Sequence, residues 1–330
     1  MIMHEFLKSF QSLIDDIDKS ILKSDDIDLT LADTASRFGY SSYHFSRKFK
    51  EISGMHFRDY VRYRRLAFAF KEVRDTKREL IDIAYEVGYS SHEAFSRAFK
   101  RAYGKTPSEY RLNPTPIRLR TIIRPFDCYL LQYGGFQMDS KDRCVKTYFV
   151  TIPKHKFLHI KNRSSIGYWD FWQKMSEIPG CDCETICGVL ESIKGKLDDR
   201  GGSDNNSGAG QLMAFINDPA GRICSWGIPL SESYGVRLPE NYSGEIPMHM
   251  QIMDVPKGDY IVFEHGPFDF ETENAAVEAA IEKAMREFDY SKTDYELDTT
   301  EGRVFYFFHD QERYWKYVRP VKRKAAANHN

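Results

Sequence analysis

One passage occurs twice in this chain, and that repetition limits its fold more than any other feature. Gly39 to Lys50 reads GYSSYHFSRKFK and Gly88 to Lys100 reads GYSSHEAFSRAFK, with the leading glycines 49 residues apart. A repeat of this kind is one supersecondary unit used twice, and with no third copy it is not an extended array. Each copy has helix-length sequence on both sides of a glycine turn, which predicts a pair of helix-turn-helix units.

The residues within each copy suit that motif. Thr30 can cap a helix whose inward positions are Leu31, Ala35 and Phe38, and Gly39 supplies the backbone freedom to end it and turn the chain. Ser41 or Ser42 caps the next helix, where Phe45, Phe49 and Ile52 fall on one stripe and Tyr43, Ser46, Arg47 and Lys50 on the other. In the second copy Ile83, Ala84 and Val87 precede Gly88. Phe95 and Phe99 then form the inward stripe, with His92, Glu93, Ser96, Arg97 and Lys100 outside. A single amphipathic helix bearing an arginine is ordinarily a solvated face. Two matched copies with arginine at the same place indicate a shared task.

Charge points the same way. The formal net charge of −1 hides an asymmetry, with 22 Lys and Arg against 17 Asp and Glu over residues 1–120 and 25 against 31 over the remainder. The basic half holds the repeat, as phosphate contacts require. Around it, residues 4–22 read as an amphipathic helix, with Phe6, Phe10, Leu13, Ile14, Ile17 and Ile21 largely on one side. Phe57–Arg74 reads as a long spacer helix. Val61, Leu66, Ala69, Phe70 and Val73 face inward on it, and Arg58, Arg62 and Arg65 outward. Thr106-Pro107 opens a last short helix.

Over residues 4–112 the sequence closely resembles the DNA-binding domain of AraC/XylS-type transcription regulators. The marks are ADTASRFGYSSYHFSRKFKEISG, the YVRYRRLAFA helix and IDIAYEVGYSSHEAFSRAFKRAYGKTPSEYR. The resemblance implies double-stranded DNA as partner, with Tyr43, Ser46 and Arg47 reaching base edges from the first unit and His92, Glu93, Ser96 and Arg97 from the second. Lys48, Lys50, Arg62, Lys100 and Arg111 are better placed for phosphates, which position a protein without specifying sequence.

After Leu112 the texture changes, and residues 113–144 read as a linker punctuated by Asn113-Pro114-Thr115-Pro116. From Val145 short β-rich runs alternate with helical ones. Strands are expected at 147–152, 156–161, 186–190, 212–216, 249–255, 259–265 and 304–308, and helices at 168–177 and 271–288. Such interleaving indicates an α+β domain. Residues 198–209 are a Gly/Ser/Asn-rich loop, and residues 325–330 a disordered tail.

The segment VPKGDYIVFEHGPFDFETENAAVEAAIEKAM with a terminal YVRPVKR strand is similar to GyrI-like effector-binding domains, which are duplicated α+β units. The expected fold is therefore multidomain: an all-α double helix-turn-helix domain over 1–112 and an α+β GyrI-like domain over 145–324. The resemblance implies a small-molecule effector, aromatic or cationic, held among Tyr168, Trp169, Trp172, Trp226, Phe263, Glu264, Tyr306 and Phe308. The family often has an acid in its late Phe-Glu-x-Tyr pattern. This chain has Phe305-Tyr306-Phe307-Phe308, which leaves Glu264 as the nearest alternative carboxylate.

Other chemistry finds little support. Cys181, Cys183 and Cys187 lack the companion His or Cys of a metal site, so no metal or cofactor is expected. His265-Gly266-Pro267 has no nucleophile beside it and reads as a turn. With no signal-peptide pattern and no apolar run of spanning length, a cytoplasmic protein without a membrane partner is expected. The leading reading is a transcription regulator, an activator working with RNA polymerase, and not an enzyme. A GyrI-like hydrolase and a protein-binding scaffold attached to a DNA-binding module are the alternatives.

Overall fold

The computed structural model of the chain describes residues 2–23, 30–120, 122–123, 125–126, 145–197, 210–224, 226–309 and 314–324. They form two compact units. One takes the N-terminal helices, the segment after them and Glu184–Lys194, and the other takes the strands. The linker beyond residue 126, the loop at 198–209 and the tail at 325–330 lie outside the described residues. No helix among the described residues is long and apolar enough to cross a membrane.

The helical unit runs α1 (Ile2–Lys23), α2 (Leu31–Arg37), α3 (Ser42–Ser53), α4 (Phe57–Asp75), α5 (Leu80–Glu86), α6 (His92–Tyr103) and α7 (Pro107–Leu112). Helix α1 buries Phe10, Leu13, Ile14, Ile17 and Ile21, the stripe its spacing sets apart. The caps follow the sequence. Thr30 accepts from Asp33 N, Ser41 from His44 N and Ser91 from Ala94 N, so each helix gains a partner for an orphan N–H. Gly54 and Gly104 close α3 and α6 in the left-handed region, at φ 74° and 79°, where a side chain would be strained.

Helix α4 is buried on almost every side and carries an aromatic cluster at each end. Near its start Phe57 and Tyr60 meet Phe49 of α3 with centroids 5.3 and 5.5 Å away. Near its end Phe70 meets Phe99 of α6 at 5.9 Å and Tyr110 of α7 at 4.5 Å. Between the clusters lies Arg64, 1% exposed. Its Nε and Nη2 donate to the two oxygens of Asp18 at 3.0 and 2.7 Å, and its Nη1 donates to the Arg120 carbonyl at 2.5 Å. Burial works against the charge, but Asp18 raises the Arg64 pKa above its ordinary value and the guanidinium stays ionised.

Two segments differ from the sequence expectation. Part of the presumed linker is core, since Leu119, Ile122 and Phe126 are buried, and Arg120 donates to the Ser53 carbonyl at 2.7 Å. The expected strand at 186–190 is instead helical: α8 spans Tyr168–Ser176, and α9, which holds that run, spans Cys183–Ser192. In α9 the apolar positions Ile186 and Leu190 recur at helical spacing, and a short apolar run does not by itself separate helix from strand. Helix α9 belongs to the helical unit. Leu119 N donates to the Gly188 carbonyl at 3.2 Å, Lys71 lies 2.5 Å from Glu191, and Arg74 donates to the Glu191 carbonyl at 2.9 Å. A Cβ on Gly188 would stand 2.1 Å from the Leu119 carbonyl oxygen, so only glycine permits this approach.

The second unit is an antiparallel sheet of β1 (Lys146–Ile152), β2 (His155–Asn162), β3 (Gln211–Ile223), β4 (Pro229–Pro239), β5 (Gln251–Val255), β6 (Gly258–His265), β7 (Tyr295–Leu297), β8 (Val304–His309) and β9 (Trp315–Arg323). Its order is β1-β6-β9-β8-β3-β4-β2-β5, with β7 beside β9. The sheet curls, and its inner face gathers Phe157, Leu212, Ala214, Tyr260, Val262, Tyr306 and Val318. Small residues make the curl possible: Ala214 pairs with Ser233 and Leu212 with Gly235, where a Cβ would sit 2.1 Å from the Leu158 carbonyl oxygen. Helices α8 and α10 (Phe270–Glu287) cover the other face. Helix α10 buries Phe270, Val277, Ile281 and Met285.

Asp18→Asn should leave the Arg64 guanidinium uncompensated and cost about 3–5 kcal/mol. Urea unfolding followed by helical circular dichroism measures it, and Asp18→Leu with Arg64→Met should recover most of the loss. A change under about 0.5 kcal/mol in the single variant would show the pair is dispensable.

Candidate nucleic-acid interface and effector groove

Helices α3 and α6 repeat each other residue for residue at a shift of fifty. Phe45 and Phe49 are buried, as are Phe95 and Phe99; Ser46 and Ser96 are half-buried; Arg47 and Arg97, like Lys50 and Lys100, are exposed. Arg47, Lys50, Arg97 and Lys100 form no ion pair among the described residues. An unpaired arginine on a helix that fits the major groove can bond two acceptors of guanine. Tyr43 stands 80% exposed on the same face, an apolar ring held in water and suited to a thymine methyl.

The remaining predicted contacts are differently placed. His92 lies 3.4 Å from Ser96 Oγ, which orients both toward the outer face of α6. Hydrogen bonds from its own backbone N–H and from Ser91 hold the Glu93 carboxyl below the usual range, so this acid also caps α6. Lys48 pairs with Glu51 at 3.0 Å and Arg62 with Asp59 at 2.9 Å, both at the surface. Arg111 turns inward. It donates to the Val73 carbonyl at 3.2 Å and the Arg78 carbonyl at 2.9 Å, where it ties α7 to the end of α4 rather than facing phosphate.

In the second unit, register decides which predicted residues meet. Phe263 of β6 stands opposite Tyr317 of β9, which stands opposite Phe307 of β8, then Met213 of β3 and Tyr234 of β4. This row lies on the helix-covered face. Trp172 of α8 meets Tyr234 edge-on at 5.0 Å, and Phe307 and Tyr317 lie 4.7 Å apart. Tyr168 and Trp169 stand half-buried at the start of α8, in edge contact at 5.5 Å. Trp226 is on the same face further along, 6.0 Å from Phe305 and under the Arg319 guanidinium at 4.6 Å.

Tyr306, Phe308 and Glu264 have the opposite parity and point to the inner face. The structure does not bring them together with Phe263 and Trp172. Tyr306 is 1% exposed with its hydroxyl 2.6 Å from His155 Nε2, and Phe308 lies under Arg237 at 5.4 Å. Glu264 accepts from the Tyr148 hydroxyl at 2.6 Å and lies 3.5 Å from Lys316.

The acid of the helix-covered face is Glu232, which sequence reasoning missed. It is 4% exposed; its Oε1 accepts from Gly167 N at 2.7 Å, and its Oε2 has no hydrogen-bond partner. Its signal was a charge in the apolar phase of a strand, alternating with Leu230, Tyr234, Val236 and Leu238. Glu278 and Glu282 of α10 approach the same floor. Burial first, and then the carboxylates of Glu278, Glu282 and Glu232, push the Tyr317 hydroxyl far above the ordinary phenol range. Burial and Glu282 push Glu278 up to about 7.

A paired helix-turn-helix with two equivalent exposed faces, joined in one chain to a curled α+β sheet, defines a DNA-binding regulator. The helix-turn-helix domain family matches residues 34–113. Regulatory protein SoxS of Escherichia coli K12 is 39% identical over 103 residues, which is 31% of this chain and 96% of SoxS. The right origin-binding protein of the same strain is 33% identical over 139 residues, 42% of this chain and 41% of that protein. The structure of SAV2435 bound to tetraphenylphosphonium covers 54% of this chain and 94% of its own, at 15% identity and a TM-score of 0.33. The chain belongs to the AraC family of transcription regulators.

Arg47→Ala or Arg97→Ala should each cost about 1–3 kcal/mol of operator affinity and relax base preference locally. Lys50→Ala should weaken all sequences alike and flatten the salt dependence. Binding to a randomised operator library across salt concentrations separates the two, and a uniform loss in Arg47→Ala would remove it from the base readers.

Proposed function

We propose that this protein regulates transcription by reading an asymmetric duplex site with α3 and α6 of a single chain, under control of a small aromatic or cationic effector. The observation that carries the DNA half is the matched exposure of the two helices, with unpaired Arg47 and Arg97 at equivalent positions. Base contacts fall to Tyr43, Ser46 and Arg47 and to His92, Ser96 and Arg97, while Lys50 and Lys100 meet phosphate. Activation further requires contact with RNA polymerase.

The effector half rests on the floor of the helix-covered face. Aromatic rings beside a buried carboxylate are the lining of a site for a flat or positively charged small molecule. Trp172, Phe307, Tyr317 and Glu232 supply both. Two relatives bear the names of a regulatory protein and a transcriptional activator, which favours this reading over a hydrolase.

Genome-wide recovery of bound fragments, followed by transcription from the strongest site, tests the whole. Trp172→Ala should abolish the response to effector and leave operator affinity within about threefold of wild type. Loss of both would make Trp172 a structural residue and remove the support for the groove.

A further inference from the structure

Helix α9 comes late in the sequence, yet it lies in the helical unit and reaches the supports of both readers. Glu184, Gly188 and Ser192 fall at four-residue intervals, one stripe of the helix, and residues 117–120 run along that stripe in the opposite direction. Ile117 N donates to Ser192 Oγ at 2.9 Å, Leu119 N to the Gly188 carbonyl at 3.2 Å, and the guanidinium groups of Arg118 and Arg120 pair with Glu184. Arg120 carries the contact onward: its Nη2 donates at 2.7 Å to the carbonyl of Ser53, the last residue of α3. At the far end of α9, Glu191 meets Lys71 at 2.5 Å, Arg74 donates to the carbonyls of Glu191 and Ile193, and Lys194 donates to the Arg74 carbonyl. Lys71 and Arg74 adjoin Phe70, the residue of α4 that stacks on Phe99 of α6.

We propose that α9 is a splint for the two readers, and that Glu184, Gly188 and Glu191 are positioning residues that set the half-site spacing this protein accepts. The inference rests on the reading of one duplex site by α3 and α6 together. One end of the splint reaches the end of α3 through Arg120, and the other grips α4 beside the contact that holds α6. Packing alone does not need this arrangement, since buried Ile186 and Leu190 already supply the apolar surface of a docked helix. Buried ion pairs add little net stability but tolerate misplacement badly, and Glu191 with Lys71 is such a pair. At Gly188 the fit is tightest, because an added Cβ meets a backbone oxygen that no side-chain rotation can move.

The duplex is what makes such a tie matter. One base pair inserted between half-sites moves the second by about 3.4 Å along the axis and about 35° around it. Readers free to pivot at the short link 54–56 between α3 and α4 absorb part of that shift. Readers tied at both ends do not, and one of them loses its base contacts. Helix α9 therefore acts on the choice between operators of different spacing while touching no base itself.

The experiment uses the full-length protein and an operator recovered by selection, with one base pair inserted or removed between the half-sites. Fluorescence anisotropy gives the affinity at each spacing. The wild type should lose roughly a hundredfold on a one-base-pair insertion. Gly188→Ala, and separately Lys71→Met with Glu191→Leu, should lose about threefold at the native spacing and only about tenfold more on insertion. A role in folding alone would lower affinity at every spacing alike, and a wild-type ratio in both variants overturns the splint. Circular dichroism reports whether each variant is folded, and a second measurement needs no variant. Hydrogen exchange of wild-type residues 117–120 and α9 should slow on the two-half-site operator and not on a duplex with one half-site, since only the former fixes both ends. Equal protection on the two duplexes overturns the splint as well. A wild type indifferent to spacing would mean that α3 and α6 do not read one site together, and the underlying reading then falls too; a spacing preference that survives in folded variants removes the splint alone.

Discussion

The helical unit depends on one guanidinium. Arg64 stands midway along α4 and bonds Asp18 of α1 and the carbonyl of Arg120, so three segments far apart in sequence meet at one side chain. Its plane also lies 5.0 Å from the Phe68 ring, which leaves little room for water. Buried ion pairs are weak sources of net stability, because two charges must leave water, but they are intolerant of misplacement. That intolerance is what a spacer needs. The aromatic clusters on either side of Arg64 grip α3 at one end of α4 and α6 at the other, and α4, at 19 residues, is about 28 Å long. A shift of α4 against α1 would break the pair before it moved either helix.

The glycine turns, the serine caps and the alternation of buried phenylalanine with exposed arginine were all legible, because each depends on neighbours within a few residues. Arg64 was not. Its own helix offers several arginines, and Arg62 and Arg64 differ only in which side of α4 they occupy. The partner that draws Arg64 inside is an aspartate 46 residues earlier, in a run of acids that reads as solvated surface. Arg111 was read as a phosphate contact, and the buried stretch around Leu119 as linker, for the same reason. Proline and charge mark them as surface, and only the tertiary partners, the Val73 carbonyl and the Gly188 turn of α9, say otherwise.

In the sheet the difficulty was parity. Phe305 to Phe308 are four consecutive aromatics, and nothing in the run itself says which pair faces the helices. The partner strands decide: Phe307 aligns with Tyr317 and Tyr306 with Val318, so neighbours in sequence occupy opposite faces. Strand β4 was missed altogether, since Ser231, Ser233 and Gly235 lack the bulk that marks a strand. Their smallness is the requirement of a tightly curled inner face, where Ser233 Oγ donates to the Ala214 carbonyl and Ser231 Oγ to Asp218. Glu232 lay hidden in the same run, between two serines.

Both sites can be recognised by the same physical argument with opposite sign. A guanidinium costs little in water, so an exposed arginine is informative only when a second copy of the fold repeats it unpaired, as Arg97 repeats Arg47. A carboxylate costs a great deal out of water, and proteins ordinarily pair one that they bury. Asp18 and Glu191 obey that rule, each against a basic side chain of α4. Glu232 is buried as deeply and keeps one oxygen without a hydrogen bond. The first pattern asks for a polyanion read twice, and the second supports the proposal of a cationic effector.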